Sequence, residues 1–136
     1  MATETKIQAS IGRERYKTQI NIRGHELTGD ELPDNGGNDI GPTPHEFVLA
    51  GLAACTASTL RMYVDRKGWP VDNILIGVSL FKEKTSEGLV SHISRTIQIE
   101  GGVDEVQKQR MIEIADKCSI QRMLTSPIII KTQLIS

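Results

Sequence analysis

Cysteine is nearly absent from this chain, aromatic residues are few, neither sign of charge dominates and long apolar runs are lacking. Each absence removes a class of protein. Two cysteines, Cys55 and Cys118, in 136 residues cannot staple a disulfide scaffold. In a reducing compartment a pair 63 positions apart reads as free or redox-active thiols rather than a static bridge. With 16 basic against 17 acidic residues there is no basic patch of the kind that dominates nucleic-acid affinity. The opening "MATETKIQAS" lacks the basic start and apolar stretch of a secretory signal, and no run reaches about 18 apolar residues. The expectation is a cytoplasmic protein that contacts neither membrane nor nucleic acid. His25, His45 and His92 show no HxxxH spacing and the cysteines no CxxC, so no metal site is expected. "HELTGDE" lacks the second histidine of a metalloprotease helix, and "GGNDIG" has the wrong glycine spacing for a dinucleotide loop. Aromatics make up only 4%, so the core must be built mainly from Ile, Leu, Val and Ala, and a subunit interface is one way to supplement it.

What is present has the length of one domain, residues 1–136. Residues 3–11 alternate loosely as a strand; "RYKTQINIRG" sets Tyr16, Ile20 and Ile22 at even positions, and a third short strand follows around Glu26 to Thr28. Residues 32–44 cluster Pro, Asn, Asp and Gly and read as loop. Thr43, Pro44 and Glu46 then have the spacing of a capping box with proline at the first helical position, so Glu46 has a structural role available. This helix should run to about Lys67, with Gly68 as its stop. It is apolar or small on every face from Phe47 to Leu60, and such a helix belongs inside a core or between subunits. Its far end, "RMYVDRKG", is charged, and the apolar part is too short for a membrane span. "ILIGVSLFKEK" and "LVSHISRTIQIEG" form a strand pair turning at Ser86 to Gly88. A second helix is expected from Asp104, its cap, to about Lys117, with Val106, Met111, Ile114 and Ala115 as its apolar stripe. Cys118 falls at its end, and "SPIIIKTQLIS" closes the chain as a strand. The order βββαββαβ is an α+β arrangement.

Cys55 lies in "LAACTASTLRMY", with no charge between Glu46 and Arg61. As a structural residue it is a small apolar filler. As a reactive one it meets an obstacle, because an apolar setting raises a thiol pKa by penalising the thiolate. Gly51, Leu52, Ser58 and Thr59, one turn away, include no cation, so an activating charge is expected from elsewhere in the chain or from a second subunit. Lowering the pKa by two units needs about 2.7 kcal/mol of preferential thiolate stabilisation.

The segments "GGNDIGPTPHEFVLAGLAACTASTLRMYVDRKGWPVDNI" and "ADKCSIQRMLTSPIIIKTQL" together resemble the OsmC/Ohr family of cysteine-dependent peroxidases. The nearest pattern is that of the OsmC-like branch, G-P-[ST]-P-x-E-L-L-x-A-x-x-A-C-T followed by T-L-R-M-Y, and the upstream "GHELTGDELP" resembles that branch's G-H-x-L-x-A-D-E-P turn. The resemblance implies an intertwined homodimer whose central apolar helices are wrapped by sheets of both subunits, with sites at the interface. It implies that Cys55 is the peroxidatic thiol and Cys118 the resolving thiol, acting on organic or fatty-acid hydroperoxides through a Cys55 sulfenic acid and a Cys55–Cys118 disulfide. It implies no bound cofactor but an external dithiol reductant, lipoyl groups in some relatives. Two other readings fit the same residues: a non-catalytic dimer that binds a small apolar or acyl ligand, and a cysteine redox sensor. The chain departs from the family pattern at His45, where organic hydroperoxide resistance proteins carry a glutamate; Glu46 comes one step later, on a different helix face. Arg13, Arg15 and Arg23 are the candidates for the family's activating arginine, and Arg13 is the expected one because it follows Gly12 at the end of the first strand. After Cys118 relatives commonly show Pro-Val-His, where this chain has Ser119, Ile120 and Gln121.

Overall fold

The computed structural model describes residues 4–135. Three short strands, β1 (Gln8–Ile11), β2 (Thr18–Ile22) and β3 (His25–Gly29), form an antiparallel sheet in sequence order. The register pairs Ile20 with Ala9 on one side and Leu27 on the other. Of the strand expected over 3–11, Thr3 lies outside the described residues and regular pairing begins only at Gln8. The loop that follows contains a single 3-10 turn, Pro33–Asn35, ended by Gly36 at φ 90°. At Gly41 the loop returns so close to β3 that a Cβ would collide with the Thr28 carbonyl, which is why glycine stands there.

Helix α1 (Pro44–Lys67) has the expected bounds, and its start is legible atom by atom. The Thr43 backbone N–H donates to Glu46 Oε1 at 2.8 Å, and the Glu46 N–H donates to Thr43 Oγ1 at 3.3 Å. Gly68, at φ 69°, ends it. By length and composition α1 can cross a bilayer, which corrects the expectation that the segment is too short. The sequence was measured by its unbroken apolar run, whereas an 18-residue window tolerates the charges at the helix end. A core helix passes the same test, and Leu60 and Val64 are fully buried in just that role.

The chain divides into two compact units, with the division inside α1 between Val48 and Leu49. In the C-terminal unit β4 (Val71–Thr85) and β5 (Gly88–Gly101) form a long antiparallel hairpin whose turn is Ser86 and Glu87. Opposed pairs Ile74 with Ile99 and Ile76 with Ile97 pack against a core of Leu60, Tyr63, Val64, Met111, Ile114 and Ala115. Trp69 meets the Tyr63 ring edge-on at 5.5 Å.

Helix α2 (Glu105–Ala115) starts at Asp104, whose carboxylate accepts from the Gln107 N–H at 2.8 Å while the Gln107 side chain accepts from the Asp104 N–H at 2.8 Å. The helix is shorter than expected. The N–H groups of Lys117 and Cys118 reach back only three residues, to Ile114 and Ala115, and Cys118 adopts ψ 129°, which breaks the spiral. A new short helix, α3 (Ser119–Leu124), begins immediately afterwards. Val106, expected in the apolar stripe of α2, is 79% exposed, since the buried stripe is carried by Met111, Ile114 and Ala115 in the last turn. The closing strand is also corrected: residues 127–135 form no strand, Ser136 lies outside the described residues, and Ile129, Ile130, Leu134 and Ile135 are more than four-fifths exposed. A strand exists only where another pairs with it, and within one described chain this segment has no pairing partner. The α+β class and the order βββαββα up to that point stand as expected.

Candidate functional site

Cys55 sits midway along α1, partly exposed, and Cys118 is fully buried at the cap position of α3. The break between α2 and α3 turns the chain so that Cys118 and its successors face Cys55. Cys55 Sγ lies 3.5 Å from Ser119 Oγ and 4.0 Å from Thr59 Oγ1, and the Cys118 thiol and the Ile120 backbone N–H also favour its thiolate. Both thiols are free. Burial pushes the Cys55 pKa up, but the donors from Cys118, Ser119, Ile120 and Thr59 outweigh it and bring the value from 9.0 to about 7. The sequence demanded an activating charge; the structure does the same work with four neutral donors, three of them on the segment that carries the second cysteine.

Behind the pair lies Arg95, which sequence reasoning missed. From β5 its Nη1 donates to Thr56 Oγ1 at 3.1 Å, and its Nη2 donates to Gln121 Oε1 at 2.8 Å and Asp116 Oδ1 at 3.1 Å. Its side chain is only 14% exposed. A signal was available: Arg95 stands in phase with Ile93, Ile97 and Ile99, an apolar row on one face of β5. Ser119 and Gln121, which depart from the family pattern, are thus the hydroxyl partner of Cys55 and the acceptor from Arg95.

Glu46 and Arg13 belong to the N-terminal unit. Glu46 closes the capping box of α1, and Arg13 is an exposed residue just beyond β1. The same unit contains an apolar cleft of about 510 Å³ with Ile11, Tyr16, Ile20 and Phe47 among its walls. Beside it Asp30, 2% exposed, organises the loop: Oδ1 accepts from the N–H groups of Tyr16 and Glu31, at 3.0 and 2.7 Å, and Oδ2 from those of Asn38 and Ile40, at 3.2 Å each. Burial raises its pKa, but these four backbone donors hold it below the ordinary carboxylate value. Among the described residues no group of three or more His, Cys, Asp or Glu is arranged to hold a metal ion.

Comparison with known proteins bears on the fold and the family. The family model described as OsmC-like protein matches residues 36–133. No curated protein sequence matches the chain significantly. Among solved structures, an OsmC-like protein from Mycoplasma pneumoniae is similar at 20% identity and TM-score 0.77, over 91% of this chain and 89% of that one. An organic hydroperoxide resistance protein OsmC from Legionella pneumophila aligns at 17% identity and TM-score 0.71, over 92% and 91%. The organic hydroperoxide resistance protein OhrB of Bacillus subtilis aligns at 20% identity and TM-score 0.64, over 90% and 91%. At these identities the structures speak for the fold, and the family model, covering well over half of the sequence and both cysteines, decides membership: the chain belongs to the OsmC-like protein family.

Proposed function

We propose that the protein is a cytoplasmic thiol peroxidase for organic hydroperoxides, with Cys55 as the peroxidatic and Cys118 as the resolving thiol. The observation that carries this reading is a partly exposed thiol, Cys55, whose sulfur lies 3.5 Å from the hydroxyl of Ser119, the residue that follows the fully buried Cys118. The exposure of the first and the burial of the second support this division of roles. The Cys55 thiolate attacks one oxygen of the peroxide; an S–O bond forms, the O–O bond breaks, and the departing alkoxide takes a proton to leave as alcohol. The Cys118 thiol then attacks the sulfenic sulfur, giving the disulfide and releasing water. A dithiol reductant, a lipoyl group being one chemical fit, supplies two electrons and two protons to restore both thiols.

The experiment is intact mass and disulfide mapping of reduced protein after one equivalent of cumene hydroperoxide, with hydrogen peroxide in parallel and Cys55→Ser as control. The expected result is a loss of two hydrogens localised to Cys55 and Cys118, faster with the organic peroxide and absent in the variant. Survival of both thiols in the native protein would overturn the reading and turn attention to a ligand for the apolar cleft of the N-terminal unit.

We also infer that the working form is a homodimer. Supporting this, α1 leaves Gly51, Ala54, Ser58 and Met62 exposed along one side, and Ile128, Ile129 and Ile130 stand bare after α3. Exposed apolar side chains grouped in this way mark an interaction surface. Sedimentation should give twice the 15.0 kDa chain mass, and deletion of residues 127–136 should shift it towards the monomer; a monomeric native chain at micromolar concentration would sink the inference.

A further inference from the structure

The Arg95 guanidinium touches one residue beside Cys55 and one on each flank of Cys118. Thr56 directly follows the first cysteine; Asp116 precedes the second by two positions and Gln121 follows it by three. The Thr56 hydroxyl hydrogen is committed to the Leu52 carbonyl at 2.7 Å, so its oxygen faces Arg95 as an acceptor. The Gln121 amide also reaches Asp116 Oδ1, at 3.5 Å, which joins the two flanks to each other. Cys118 needs such help. It lies at a backbone break between two helices: its N–H holds the Ala115 carbonyl at 3.2 Å, three residues back, and its carbonyl accepts from the Arg122 N–H at 3.1 Å as the cap of a helix only six residues long. A disulfide tolerates little error, with Cβ atoms about 3.5–4.5 Å apart and a fixed dihedral.

We propose that Arg95 is a positioning residue that ties the Cys118 turn to the Cys55 helix, so that the two sulfurs are held ready to close into a disulfide. The ion pair with Asp116 contributes least, because that carboxylate side chain is 68% exposed and screened. The bonds to Thr56 and Gln121 are part-buried, charge-assisted and directional, and they carry the tie. Loss of Arg95 leaves the thiols in place chemically but lets the α2–α3 turn drift.

The peroxide chemistry of this inference rests on the function proposed above, but the positioning does not, and the test separates them. Native protein, Arg95→Met and Arg95→Lys are equilibrated in glutathione buffers, where one oxidised glutathione and the two protein thiols give the protein disulfide and two reduced glutathiones. The ratio of oxidised to reduced protein gives the effective concentration of one thiol for the other. Arg95→Met should lower it by about tenfold or more, the scale for losing charged hydrogen bonds at a part-buried site, and Arg95→Lys should recover part of the loss. General destabilisation that leaves the protein folded does not move this ratio, since it affects both redox forms alike. If Arg95→Met does not fold, Thr56→Val removes only the acceptor on α1 and should lower the ratio several-fold. A ratio within about twofold of native in whichever folded variant is measured overturns the proposal. The same proteins then receive one equivalent of cumene hydroperoxide with dimedone present. Trapped Cys55 sulfenic acid that rises in Arg95→Met, at the expense of disulfide, supports both inferences. An inert native protein whose glutathione ratio still depends on Arg95 overturns the peroxidase reading and leaves the positioning role standing.

Discussion

Asp30 in the N-terminal unit and Cys55 in the C-terminal unit both face burial with neutral donors, and the two end in different states. Asp30 receives four backbone N–H groups, two on each oxygen, and its pKa is held below the ordinary carboxylate value. Cys55 receives one backbone N–H and three softer or more distant side-chain donors, and stops at about 7. A carboxylate saturated by amides is an inert structural bolt, because its proton is held off and its lone pairs are occupied. A thiol poised at 7 is about half ionised at neutral pH, against roughly 1% for one at 9, and its sulfur keeps room for an incoming atom. The number and stiffness of donors therefore separate a fold-organising anion from a nucleophile.

The sharpest way to break this comparison is at Asp30. Asp30→Ala leaves four amides without their acceptor, and Asp30→Asn still turns an NH₂ group towards two N–H donors whichever way it is flipped. Both variants should speed hydrogen exchange at Asn38 and Ile40 by at least about tenfold, with alanine the worse. Asp30→Asn with native protection would show that charge and acceptor count are irrelevant there. The pH dependence follows from the direction of the shift. The folded value lies below 3.8, so the anion's contribution is complete above the unfolded value and is lost only as pH falls through the lower folded one. Loop protection should therefore persist through the ordinary carboxylate range and fail only at a pH below it.

The sequence shows local chemistry well and tertiary chemistry poorly, and the two regions differ for that reason. Thr43, Pro44, Glu46 and Gly68 mark α1 to the residue because capping acts within four positions of the chain. Asp104 is equally plain, and the alternation of Ile97 and Ile99 gave the hairpin. The α2–α3 break was hidden, since "DKCSIQ" contains neither glycine nor proline and the turn is made by one extended residue, Cys118. The final strand was read from its composition, yet isoleucines cannot supply the neighbour that a strand needs. At the site, both cysteines were legible through their motifs, but Arg95 acts across 39 positions on Thr56 and 26 on Gln121, which no local pattern displays. Glu46 has its first explanation in the cap, where its displacement by one residue from the family position puts it at the right spacing from Thr43.

The smallest effects test how the Cys55 setting is divided among its donors. The order of their influence on the thiol runs from the Cys118 side chain through Ser119 and the Ile120 N–H to Thr59, and distance agrees, with Ser119 at 3.5 Å and Thr59 at 4.0 Å. Iodoacetamide modification of Cys55, followed against pH, reads the thiolate directly and should titrate near 7 in the native protein. Each lost donor raises the midpoint, because it favoured only the charged form, so the rate at pH 7 must fall. Cys118→Ala should give the largest fall, Ser119→Ala about twofold, and Thr59→Val less than about 1.5-fold, these being shares of a shift assembled from several weak hydrogen bonds. A reversed order would mean that the thiolate turns towards its own helix rather than towards the Cys118 turn. In that case disulfide closure would first require the sulfur to swing, and the poise near 7 would owe little to the segment that resolves it.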